Sequence, residues 1–95
     1  MILVTGATGL LGSHLLIQLT QQGHSCRALY RNEHKIKDVK ALYFYYFPEE
    51  STDKWEAIQW FSCDLLSLME VDEAMNNVDY VYHCAALVSF FKADF

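Results

Sequence analysis

Three glycines at positions 6, 9 and 12 stand directly behind the apolar run Ile2-Leu3-Val4 and ahead of Leu15-Leu16-Ile17, and they constrain this chain more than any other feature. The run before them shows no alternation, as in a strand buried on both faces of a parallel sheet. After them, Leu11, Leu15, Leu16 and Leu19 recur at helical spacing over residues 10–22, and Gly23 follows where a C-terminal capping glycine is expected. The glycines therefore join a strand to a helix, and each has its own task. Gly6 turns the chain sharply, Gly9 keeps a side chain from holding a pyrophosphate away from backbone N–H groups, and Gly12 lets the helix lie close on the sheet. An anion on such a turn meets unsatisfied amides and the positive end of the helix dipole, with the amides of Leu10 and Leu11 expected to face it. No Gly-Lys-Ser/Thr follows, which excludes a P-loop. A tight turn with no ligand is the simpler reading of glycines alone; the strand before them and the helix after them favour a dinucleotide loop.

The remaining residues repeat the alternation. Residues 25–30 read as a second strand, 33–47 as a second helix ending before Pro48, and 48–54 as a polar loop. Residues 57–63 supply a third strand. A third helix follows over 67–77, with Ser67 as its N-cap and Glu70 completing a capping box, and a fourth strand over 79–84. Strands and helices in alternation with short connections imply right-handed crossovers. The expected fold class is α/β, a Rossmann-type doubly wound parallel sheet of order 3-2-1-4 that is incomplete in this chain. Residues 1–95 would form the N-terminal part of a dinucleotide-binding domain, with the rest of that domain and a substrate domain outside them.

Composition narrows the partners. Of 95 residues, 53% are hydrophobic and 20% charged, which suits one modest core. The net charge of −5 and the scatter of bases, apart from Lys35, Lys37 and Lys40, disfavour a nucleic-acid surface, which needs a basic stripe. The longest apolar runs, 39–48 and 65–69, are far shorter than the roughly 20 residues of a membrane span. With neither a basic leader nor a cleavage site after Met1, the expected location is the cytoplasm. Cys26, Cys63 and Cys84 are odd in number, far apart and set in apolar strands, so they read as reduced core thiols rather than disulfides or metal ligands.

The stretch Thr5-Gly6-Ala7-Thr8-Gly9-Leu10-Leu11-Gly12 resembles the TGxxGxxG signature of the extended branch of the short-chain dehydrogenase/reductase superfamily, and the continuation Ser13-His14-Leu15 is similar to it too. Asp64-Leu65, behind the third strand, resembles the pair that contacts the adenine ring in that superfamily. Val81-Tyr82-His83-Cys84-Ala85-Ala86 looks like the fourth-strand segment whose end lies beside the cofactor's ribose and pyrophosphate. The resemblance implies a cofactor site made from Gly6, Thr8, Gly9, Leu10, Leu11, Gly12, Asp64, Leu65, Cys84, Ala85 and Ala86. It also implies a small-molecule substrate and a homodimer of a longer protein. Epimerases and dehydratases, dihydroflavonol-reductase-like and hydroxysteroid-dehydrogenase-like members all share these motifs.

At the end of the second strand, where NAD-selective proteins place an acid for the ribose hydroxyls, this chain has Tyr30-Arg31-Asn32. A guanidinium suits a 2′-phosphate, so Arg31 joins the site and NADP is favoured over NAD. Arg31 as a solvated side chain, with Glu33 serving a ribose from the next turn, is the competing reading. His14 is expected to hydrogen-bond locally, His83 to be a satisfied core histidine, and the run Tyr43-Phe44-Tyr45-Tyr46-Phe47 to cover the sheet or a neighbouring element. The resembling enzymes move a proton with a tyrosine and a lysine four residues on. No Tyr-x-x-x-Lys occurs here, and Ser89 without that pair is not assigned as catalytic. Two readings follow: a piece of an oxidoreductase or epimerase whose catalytic residues come after Phe95, or a non-catalytic dinucleotide sensor or interaction module.

Overall fold

The run Ile2–Thr5 forms strand β1 with all four residues buried, the outcome required of an unalternating apolar segment at the centre of a covered sheet. The structure, a computed structural model, describes residues 1–48 and 52–84. On one side β1 pairs with β2 (Cys26–Tyr30), which pairs in turn with β3 (Gln59–Ser62); on the other side it pairs with β4 (Tyr80–His83). All three pairings are parallel and the order is β3-β2-β1-β4, as predicted.

Alternate residues of β1 serve two cores. Ile2 and Val4 pack with Leu16, Ile17 and Leu19 of α1 (Leu10–Gln21) and with Val39 and Tyr43 of α2 (Ile36–Tyr46). Leu3 packs on the other face with Leu29, Cys63 and Ala74, the last from α4 (Leu68–Ala74). Helices thus cover both faces, which is the doubly wound arrangement. The buried stripe of α1 runs through Gly12, Ser13, Leu16, Ile17, Leu19 and Thr20, so Leu11, expected on this stripe, instead projects outward from the first turn.

Several boundaries move for identifiable reasons. The second helix is broken at its start: the Asn32 side chain accepts a hydrogen bond from the His34 amide at 3.0 Å and opens a 3₁₀ turn, Glu33–Lys35, before α2 begins. The segment expected to be a loop as far as residue 54 instead ends in a short helix, α3 (Asp53–Glu56). Four residues leave no periodicity to read; this helix is held by Trp55, buried with its ring 5.6 Å from that of Tyr43 and 5.7 Å from that of Trp60. Because Ala57 caps α3, β3 starts later than expected. The Ser67 hydroxyl accepts from the Glu70 amide, as an N-cap should, but α4 stops at Ala74. There Arg27 of β2 donates from Nη1 to the carbonyls of Ala74 at 2.6 Å and Asn76 at 2.8 Å, closing the helix end against the sheet.

The aromatic run divides. Tyr43 is fully buried against Phe44, Phe47 and Trp55, and its hydroxyl is satisfied by the Gln21 amide at 2.7 Å, whereas Tyr45 and Tyr46 stay exposed. All three cysteines are buried and unpaired, matching the reading of core thiols. Among the described residues no helix is long and apolar enough to cross a membrane.

Candidate functional site

At the carboxyl end of β1 the chain does what the glycine spacing demands. Gly6 adopts φ +62°, a left-handed conformation that favours glycine, and its carbonyl accepts the Gly9 amide at 3.0 Å, closing the turn. Gly9 is the N-cap residue of α1, with φ −80° and ψ 175°, and no side chain caps the helix. The Ser13 amide donates to the Gly9 carbonyl, and the first turn carries no acidic residue to compete with an incoming anion. A helix start left open in this way suits a phosphate group. Gly12 is needed for close approach: a Cβ there would stand 2.0 Å from the Gly6 carbonyl oxygen, so the helix lies against the turn itself.

Beside the turn a crevice of about 240 Å³ opens between the ends of β1, β2 and β3, lined by Gly6, Thr8, Tyr30, Arg31, Lys35 and Leu65, with Leu29, Asn32 and Cys63 completing its wall. Of the residues assigned from sequence, Gly6, Thr8, Arg31 and Leu65 meet there. Gly9, Leu10, Leu11 and Gly12 form the adjoining helix start, with Leu10 and Leu11 exposed. Asp64 lies outside the lining; its Oδ1 accepts the Leu66 amide at 2.9 Å and its carbonyl the Ser67 amide, so it shapes the turn into α4. Cys84 is buried in the core beneath α1, and Ala85 and Ala86 lie outside the described residues, as does Ser89.

The sequence reading missed Lys35. It assigned Arg31 to the site without Lys35, but the Asn32-capped 3₁₀ turn carries the chain back so that Lys35 enters the same crevice. An Asx cap three residues before a lysine was the available signal. No carboxylate is among the lining residues, Glu33 included, and neither cation has an ion-pair partner among the described residues. Burial pushes the Cys63 thiol up, with Glu70 and Asp64 adding to the effect, so the wall presents a neutral thiol.

The two histidines differ. His14 bonds locally as expected, through Nδ1 to the Leu10 carbonyl at 2.8 Å, with its ring edge-on to Tyr46. His83 is satisfied but is not in the core: it is exposed at the end of β4, with Nδ1 2.7 Å from the Thr5 hydroxyl. No cluster of possible metal ligands occurs among the described residues.

Comparison with known proteins agrees with this geometry. Residues 2–95 match the NAD dependent epimerase/dehydratase family. The chain is 34% identical over 91 residues to a dihydroflavonol 4-reductase of Callistephus chinensis, covering 96% of this chain and 23% of the relative. It is 33% identical over 86 residues to tetraketide alpha-pyrone reductase 2 of Arabidopsis thaliana, covering 90% and 25%. A crystal structure from Escherichia coli assigned to the short chain dehydrogenases superposes with a TM-score of 0.56 at 25% identity, over 86% of this chain and 37% of that one. The chain therefore spans about a quarter of the length of the curated relatives it matches. Signature, sheet order and family match converge: the chain belongs to the NAD-dependent epimerase/dehydratase family, within the extended short-chain dehydrogenase/reductases.

Proposed function

We propose that this chain is the dinucleotide-binding part of an NAD(P)-dependent oxidoreductase or epimerase, and that it prefers NADP. One observation carries the preference: Arg31 and Lys35 share the crevice at the end of β2, where no acid lines the wall. A 2′-phosphate offers those two cations a counter-charge that no described residue gives them, whereas a ribose diol offers none. In this arrangement the pyrophosphate lies on the open start of α1, the adenosine in the crevice against Leu65 and Thr8, and the nicotinamide end beyond the carboxyl end of β4. The names of the relatives, reductases of a dihydroflavonol and of a tetraketide pyrone, support carbonyl reduction of a small organic substrate. Hydride transfer needs a group that moves a proton at the substrate. With no Tyr-x-x-x-Lys in the 95 residues, this chain binds the cofactor without turning over a substrate.

The test is a fluorescence titration with NADPH and NADH. NADPH binds more tightly, and Arg31→Ala and Lys35→Ala each weaken NADPH by about 1.5–3 kcal/mol, the value of a charge-assisted hydrogen bond, with little effect on NADH. Equal losses for both nucleotides would return Arg31 and Lys35 to the solvated surface and overturn the preference.

A further inference from the structure

β1 and β4 end at the same level, Thr5 opposite His83, and these two side chains are joined across 78 residues of sequence. Thr5 is buried, at 3% exposure, and among the described residues the hydrogen-bond partner of its hydroxyl is His83 Nδ1 at 2.7 Å. A buried hydroxyl hydrogen with no acceptor costs more than an unfilled lone pair, so Thr5 donates and Nδ1 accepts. An imidazole that accepts at Nδ1 while neutral carries its proton on Nε2. His83 as a whole is exposed.

The residue after Thr5 is the hub of the glycine turn. The Gly6 carbonyl closes the turn by accepting the Gly9 amide, and it is the group against which Gly12 brings α1. Any freedom at Thr5 is therefore transmitted to the amides that would meet a pyrophosphate. The backbone ladder between β1 and β4 has its last pair at this point, so the side-chain bond is what restrains the chain where the ladder stops.

We infer that His83, which lies outside the glycine loop, is a positioning residue for the dinucleotide: held as the Nε2–H tautomer by the Thr5 hydroxyl, it latches the start of the loop to the end of β4. The inference rests on the dinucleotide reading above. Nothing in the loop signature requires a histidine at this position; what the 2.7 Å contact requires is an acceptor there for the Thr5 hydroxyl.

The test uses the 95-residue chain and NADPH titration, at a temperature well below each variant's unfolding midpoint. Thr5→Val and His83→Phe each weaken binding about five- to ten-fold, the effect of one hydrogen bond, and the double variant is no weaker than either alone. Thr5→Ser, which keeps the hydroxyl, and His83→Asn, whose amide oxygen stands near the Nδ1 position, bind within about twofold of wild type. A purely structural role would lower the midpoint without this pattern of rescue and non-additivity in affinity. Nitrogen-15 NMR of the wild-type imidazole shows the Nε2–H tautomer, a measurement independent of whether any variant folds; the Nδ1–H form overturns the inference. Wild-type binding that none of the variants alters overturns the latch alone. No NADPH binding by the wild type overturns the dinucleotide reading and the positioning role with it.

Discussion

Gly12→Ala and Gly9→Ala each add one methyl group to the same turn, yet one should damage the fold and the other only binding. On Gly12 the new carbon would stand 2.0 Å from the Gly6 carbonyl oxygen and 2.7 Å from its carbon. A carbon–oxygen contact settles near about 3.3 Å, so α1 and the turn must part by about 1.3 Å. Neither partner is a flexible side chain: the carbonyl is held by the Gly9 amide and by the left-handed Gly6. Overpacking of this severity costs about 3 kcal/mol, against about 1 kcal/mol returned by alanine's helix propensity. The net loss of about 2 kcal/mol lowers the midpoint by about 8–16 °C in a chain of this size. On Gly9 the carbon would stand 3.4 Å from the same oxygen, an ordinary contact, at a φ that any residue adopts. There the poorer N-cap costs about 0.5–1 kcal/mol and the stiffer unfolded chain returns a similar amount, so stability barely changes. The methyl nevertheless covers the face a pyrophosphate must approach, and NADPH affinity falls by about tenfold or more, which is about 1.4 kcal/mol. Far-UV circular dichroism melts and NADPH titrations on the two variants measure both quantities. A Gly12→Ala chain melting with the wild type, or a Gly9→Ala chain binding like it, would refute the division of labour.

Two further outcomes follow from other contacts. Arg27→Ala removes the donor shared by the Ala74 and Asn76 carbonyls, and a urea titration should show a loss of about 1–3 kcal/mol; an unchanged midpoint would mean α4 is held by packing alone. Burial, opposed by the N-terminal amine, pushes the Cys26 thiol up to about 11 from its usual 9.0. The unfolded chain therefore releases this proton before the folded chain does. Its contribution to stability is intact below pH 9, declines on the order of 2 kcal/mol between pH 9 and 11, and then levels off. Cys26→Ala should flatten that alkaline limb; an identical limb in the variant would assign it to another group.

The sequence alone determined the order of the four strands, the parallel sheet with β1 inside, the strand-to-helix glycine turn and the presence of a base, Arg31, at the end of β2, because each is written in neighbouring residues: an unalternating apolar run, a helical period, glycines three apart, a base where an acid usually stands. It even located the Ser67 cap, a bond between residues three apart. What only the tertiary structure decided lies between residues distant in the chain. α3 exists because Trp55 finds Tyr43 and Trp60, and four residues carry no period of their own. Tyr43 is buried while Tyr45 and Tyr46 are not, since one of three similar rings meets the Gln21 amide and the core of α1. Lys35 joins Arg31 because a 3₁₀ turn, rather than an α-helix, follows β2. His83 reads as an apolar-strand histidine in sequence and becomes the partner of Thr5 only when parallel pairing sets the two strand ends side by side. Local patterns specify the conformations of short segments, whereas these features depend on which distant groups the folded chain brings within hydrogen-bond or ring-contact range, and that is set only when the sheet assembles.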